Sequence, residues 1–127
     1  MHATHHNRLG GGVALHVAGR CKSSILQNVS FSDTCLESIG VELMCCTKTT
    51  IVINVYRPPN GSFPDFLRKL TAVSEFIRTK NHNEDYILGD WNINLLKQED
   101  QYVTDFIALM YSYSLLSTTT KPTRVTN

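Results

Sequence analysis

A run of β-branched residues, Thr50-Ile-Val-Ile-Asn-Val-Tyr56, meets Arg57-Pro58-Pro59-Asn60-Gly61 and has to stop there. Proline lacks the amide hydrogen that a central strand needs, and Asn-Gly favours a turn. Ser62-Phe63-Pro64-Asp65 then reads as a helix start, with Ser62 as cap, Pro64 in the first turn and Asp65 near the positive end of the helix. Phe66, Leu70, Val73 and Ile77 recur at helical spacing, which predicts an amphipathic helix to about residue 79. Asn81 to Asp85 is a polar connector. Tyr86-Ile87-Leu88 is a short apolar run suited to a strand buried on both faces, and it leads into Gly89-Asp90-Trp91-Asn92.

The remaining segments fit around this strand, helix and strand. In Gly12 to Ala18, Val13, Leu15 and Val17 alternate with Ala14, His16 and Ala18, the period of a strand. Cys21 to Thr34 is unperiodic and reads as loop or weak edge structure. In Ser38 to Cys46, Ile39, Val41, Leu43 and Cys45 share one face, with Glu42 on the other. Cys46-Thr-Lys-Thr is a short connection to the next strand, so two antiparallel strands are expected. A second helix is predicted over Asp100 to Tyr113, with Tyr102, Phe106, Leu109, Met110 and Tyr113 on one stripe. The Thr-rich tail, Leu116 to Asn127, reads as extended. Hairpins combined with helical crossovers imply an α/β layered fold with a mixed sheet and flanking helices.

Composition narrows the function classes. The chain has 127 residues, 42% of them hydrophobic, which suits one domain with a core. Lys and Arg number 12 against 11 Asp and Glu, a net charge of +1, so a nucleic-acid partner would need a local basic surface. The start, Met-His-Ala-Thr-His-His-Asn-Arg, has no apolar stretch of a secretory signal, and no apolar run approaches the ~20 residues of a membrane span. The reading is an intracellular protein without a membrane partner. Residues 1–8 are expected to be unstructured and residues 9–127 to form one partial domain. Cys21, Cys35, Cys45 and Cys46 include no C-x-x-C pair. Adjacent side chains on a strand face opposite ways, so Cys45 and Cys46 are poor partners for each other, and reduced thiols are expected.

Two segments can carry chemistry. In Tyr86-Ile-Leu-Gly-Asp-Trp-Asn92, a strand delivers Asp90 to its C-terminal end, where open α/β sheets place their sites. Gly89 leaves room for a close approach. An acid and an amide two residues apart on extended backbone point the same way; a carboxylate can take a proton from water, and an amide can donate to a phosphate oxygen. The same two residues also favour a plain turn after a strand. In Val55-Tyr56-Arg57-Pro58-Pro59-Asn60, Tyr56 can donate to a phosphate and Arg57 can neutralise one; a strand end with a surface arginine is the alternative.

Five segments occur in one order: Gly10-Gly-Gly-Val-Ala-Leu-His-Val17, Glu37-Ser-Ile-Gly-Val-Glu-Leu43, Ile53-Asn-Val-Tyr-Arg-Pro-Pro-Asn60, Ile87-Leu-Gly-Asp-Trp-Asn-Ile-Asn94 and Lys121-Pro-Thr-Arg-Val-Thr126. Together they resemble the endonuclease domain of jockey-like and related non-LTR retrotransposons, over nearly the whole chain. The resemblance implies a partial two-sheet α/β sandwich of the endonuclease/exonuclease/phosphatase, DNase I-like kind, nicking DNA with magnesium ahead of a C-terminal reverse transcriptase domain, in the nucleus for an active element. It implies that Asp90 orients or deprotonates the attacking water, that Asn92 holds the scissile phosphate, and that Tyr56 contacts it. Arg57, Asn60, Thr123 and Arg124 fall at or near substrate-side positions. Trp91 stands where the family often has Phe.

The family's metal-binding Glu lies upstream of the Gly-Gly-Gly strand, and its Asp-His element follows the Pro-Thr-Arg stretch; neither is in this chain. Glu37 and Glu42 do not match the metal position, so no metal ligand is expected here. His2, His5, His6, His16 and His82 all lie elsewhere. The expectation is a nuclease-domain fragment that is inactive by itself and marginally stable, with apolar strand faces and edges exposed. Two alternatives stand beside it: a non-catalytic relic with no function or weak nucleic-acid binding, and a phosphoesterase of the same fold with another substrate.

Overall fold

A computed structural model of the chain describes residues 2–5, 12–97 and 99–116. They divide into two compact units, one ending at Trp91 and the other beginning at Asn92. The first unit contains strands β1 (His2–His5), β2 (Val13–His16), β3 (Lys22–Ile25), β4 (Phe31–Ser32), β5 (Glu37–Cys45) and β6 (Lys48–Tyr56), helix α1 (Phe63–Thr79) and strand β7 (Glu84–Asp90). A 3-10 turn, Gln27–Val29, separates β3 from β4. The second unit contains helix α2 (Gln101–Ser112). The fold is mixed α/β.

The main sheet runs β3-β5-β6-β7, with β4 also on β5. β5 and β6 are antiparallel, and β6 and β7 are parallel. The parallel pair follows from the chain's path, since a strand stopped at Pro58 and Pro59 can rejoin the sheet in the same direction only through a crossover. α1 is that crossover. Ser62 caps it by accepting from the Asp65 amide at 3.3 Å, as its sequence predicts. Its stripe of Phe63, Phe66, Leu70, Val73 and Ile77 is buried.

The two faces of the sheet separate by period two. Ile51, Ile53 and Val55 of β6 point to the α1 side and are 0–1% exposed. Lys80, at the end of α1, pairs at 3.0 Å with Glu42, which stands opposite Ile51 on that face. The other face carries Ile39, Asn54 and Tyr56. The β1–β2 hairpin packs there: Val13 and Ile39 form a buried cluster joined by Leu15 and Tyr56, and the Asn54 amide donates to the Ala14 carbonyl at 2.9 Å. β1 is a strand at His2–His5, in a segment the sequence alone marks as unstructured.

Three further expectations are corrected. β7 is not buried on both faces: Tyr86 and Leu88 are each 50% exposed, because β7 ends the strand order and the hairpin packs on β5 and β6 instead. The buried residues of α2 are Val103 and Phe106, while Tyr102 is 58% exposed. Its N-cap, Asp100, accepts from the Tyr102 amide at 2.9 Å. Finally, Cys21 and Cys45 form a disulfide rather than two free thiols. Lys22 pairs with Met44, so the next residues out, Cys21 and Cys45, stand opposite each other with Cα atoms 5.3 Å apart. Cys35 is buried and free; burial, then the charges of Asp33 and Asp65, push its thiol pKa up. Among the described residues no helix is long and apolar enough to cross a membrane.

The disulfide ties edge strand β3 to β5. A cross-link closing a loop of this size (sequence separation 24) stabilises by about 3 kcal/mol in the chain-entropy account. Reduction, or Cys21→Ser, is expected to lower the unfolding free energy by that amount, read by urea denaturation with and without reductant.

A second clasp joins α1 to β7. The His82 ring faces the Lys80 carbonyl through Nδ1 at 2.5 Å and the Asp85 carboxylate through Nε2 at 2.7 Å. Both partners are acceptors, so the ring satisfies both only when both its nitrogens carry protons. Burial works against that charge, but the Asp85 hydrogen bond, the Lys80 carbonyl and the Asp85 charge together outweigh it, and the His82 pKa is raised. A raised folded-state pKa means the stabilisation is fully present below the unfolded histidine value of about 6.5 and fades as pH rises through the folded-state pKa. Stability of the wild type relative to His82→Gln is therefore expected to fall as pH rises above the unfolded histidine value of about 6.5, measured by paired denaturation curves.

Candidate functional site

The C-terminal ends of β6 and β7 lie side by side, and register fixes what meets there. Tyr56 pairs with Asp90 across the parallel ladder, and Glu37 pairs with Tyr56 across the antiparallel one. Register partners share a face, so Glu37, Tyr56 and Asp90 form one row across three strands. Adjacent strands are ~4.8 Å apart, which places the Glu37 and Asp90 backbones roughly 10 Å from each other. Glu37 is 0% exposed, Tyr56 is half-buried against the Val13–Ile39 cluster, and Asp90 is exposed.

Gly89 makes the row possible. Its φ is +142°, in a region that side-chain-bearing residues rarely adopt, and a Cβ there would come 1.9 Å from the Val55 carbonyl oxygen. The close approach that a glycine permits here is thus to the neighbouring β6 backbone. The Asp90 carbonyl then accepts from the Arg57 amide at 2.8 Å, which holds the two strand ends together one residue past the ladder.

The expected site residues fall into groups. Tyr56 and Asp90 are brought together. Arg57 follows Tyr56, but its guanidinium lies 5.2 Å from the ring centres of both Phe63 and Phe66, and its Nη1 donates to the Trp91 carbonyl at 3.5 Å. Asn60 is exposed in the turn before α1. Asn92 begins the second unit and has φ +49°, so the extended backbone expected to aim it alongside Asp90 stops short of it. Asparagine tolerates this left-handed conformation better than most residues. Thr123 and Arg124 lie outside the described residues.

Glu37 is the residue that sequence reasoning set aside. The signal that could have found it is the turn after β5. A two-residue link at Cys46-Thr47 pairs Cys45 with Lys48, and that pairing carries Glu37 to Tyr56. As donors for magnesium the described residues fall short. Among them no group of three or more His, Cys, Asp or Glu side chains gathers, and a hard divalent ion takes about six oxygens.

Comparisons of the chain with protein-family models, with curated proteins and with solved structures find no match.

Gly89→Ala is expected to cost on the order of 3 kcal/mol, because it combines a disfavoured φ with a clash into backbone that cannot rotate away. The loss should appear as a lowered denaturation midpoint together with faster amide exchange at the ends of β6 and β7.

Proposed function

We propose that this chain is part of a phosphodiesterase domain of the endonuclease/exonuclease/phosphatase kind, acting on DNA as the retrotransposon nucleases that its motifs resemble. The observation that carries the reading is the register row that sets Tyr56 opposite Asp90 at the C-terminal ends of adjacent strands. Asp90 takes the role of aligning a water or accepting its proton, for which an exposed carboxylate at a strand end is suited. Tyr56 donates to a phosphate oxygen without adding charge. Asn92 is assigned to the phosphate by its place in the Gly-Asp-Trp-Asn motif. The packing of a small sheet on one face of the larger one is in keeping with a two-sheet sandwich. In a full-length parent a reverse transcriptase domain and a nuclear location would accompany it.

Magnesium is what such chemistry employs elsewhere in the family. The described residues do not by themselves make a site for it, so the roles above are confined to side chains of this chain. General acid or base help is worth about 10²–10⁴-fold in rate, and a partial set of groups leaves most of that unrealised. The chain alone is expected to nick supercoiled plasmid no faster than buffer with magnesium.

Binding gives the sharper test. With a short DNA duplex at low salt, Tyr56→Phe is expected to weaken binding about threefold to tenfold, the worth of one hydrogen bond. Asp90→Asn is expected to tighten binding by a comparable factor, because it removes a negative charge facing the phosphate. If neither substitution moves the affinity, the assignment of this row to a phosphate is wrong. Nicking by the chain that disappears in Asp90→Ala would instead overturn the expectation of inactivity.

A further inference from the structure

We propose that Arg57 is a positioning residue for Asp90, acting through Trp91, and not a phosphate ligand. The proposal rests on the reading of Asp90 given above. The observations lie in one cluster beneath the end of β7. The Arg57 main chain donates to the Asp90 carbonyl at 2.8 Å, and its guanidinium donates to the next carbonyl, that of Trp91, at 3.5 Å. The same guanidinium is 5.2 Å from the centres of the Phe63 and Phe66 rings, which are 7% and 0% exposed. Trp91 meets Phe66 edge-on, with ring centres 6.1 Å apart at 65°, and Phe63 and Phe66 are themselves 5.4 Å apart.

Each contact has one purpose in the chain's geometry. The ladder ends at the Tyr56–Asp90 pair, so beyond it the backbone carrying Asp90 has lost its neighbours. Arg57 grips that backbone at two successive carbonyls. The first turn of α1 holds Arg57 in turn, through two aromatic rings that attract a cation. A guanidinium is planar and weakly hydrated, so it can stack on rings and still donate in its plane, which an ammonium does less well. An arginine so engaged is oriented toward the helix and the Trp91 carbonyl.

The chain's single tryptophan is Trp91, so its fluorescence reports this cluster alone. The test uses the full chain with Arg57→Met, which keeps an apolar stem of similar length, and Arg57→Lys, which keeps the charge. Ile77→Val, at the far end of α1, serves as a control for general loss of stability. For Arg57→Met the proposal expects a red-shifted Trp91 emission and a quenching constant with acrylamide raised at least about twofold, with Arg57→Lys intermediate and Ile77→Val unchanged. In the DNA titration the salt dependence of binding should keep its slope, and the tightening expected of Asp90→Asn should shrink when Arg57→Met is also present.

A phosphate ligand would behave differently. Its removal would lower the salt slope by roughly one unit and leave Trp91 undisturbed. That pair of results overturns the proposal, as does unchanged Trp91 quenching in Arg57→Met. If DNA does not bind at all, the phosphate reading of the row fails, but the Trp91 measurements still decide whether Arg57 holds the loop.

Discussion

The approach of Gly89 to the Val55 carbonyl is the constraint on which the rest of the first unit hangs. β6 ends at Tyr56 because Pro58 and Pro59 end it, and the chain must go round through α1 and come back parallel. A parallel return is held only by slanted backbone bonds, so its register needs a specific anchor. A residue with no Cβ at position 89 provides one, since any side chain would collide with β6. With Gly89 opposite Val55, Asp90 has to fall opposite Tyr56. The pairing of acid and phenol is therefore a consequence of backbone fit, and it needs no contact between the two side chains.

Much of this architecture is legible in the chain. The stop at Arg57-Pro58-Pro59, the Ser62 cap and the apolar spacing through Ile77 define α1 to within a residue, because capping and periodicity are local signals. Alternation marks β2, β5 and β6 for the same reason. Asp90 and Tyr56 are both readable as strand-end residues, and the two turn out to share a row. Burial of β7 is not readable, because Tyr86-Ile87-Leu88 looks the same at the centre of a sheet as at its margin. Whether an apolar run is covered depends on neighbours far away in sequence.

Register explains the remaining misses. A four-residue link after β5, the natural guess from Cys46-Thr-Lys-Thr, would pair Cys45 with Thr50 and set Tyr56 opposite Ile39. The observed link is two residues, with Cys46 at φ +59°, and the whole ladder slides so that Glu37 reaches Tyr56. Cysteine is not a residue that advertises a left-handed turn, which is why the shorter link is hard to see. The Cys21–Cys45 disulfide is hidden by the same difficulty, since it requires the β3–β5 register before the two thiols can be known to face each other. The surroundings of Arg57 are hidden for another reason. An arginine after a strand reads as a free cation, and nothing local reveals that Phe63 and Phe66 will be folded back against it.

The row has a gradient that bears on how a phosphate could meet it. Glu37 is fully buried at one side, Tyr56 is half-buried where it packs on the Val13–Ile39 cluster, and Asp90 is exposed at the other. Burying a carboxylate costs several kcal/mol unless bonded partners offset it, so a fold that keeps Glu37 inside must hold it in a fixed arrangement. On the function proposed above, a phosphate would reach the row at its exposed member, Asp90. Under that proposal an exposed position suits Asp90 as a proton acceptor for water. It also requires the Asp90 backbone to be rigid at the one margin of the row where the ladder no longer holds it, which is the place where the Arg57 guanidinium, Trp91 and the two phenylalanines of α1 close together.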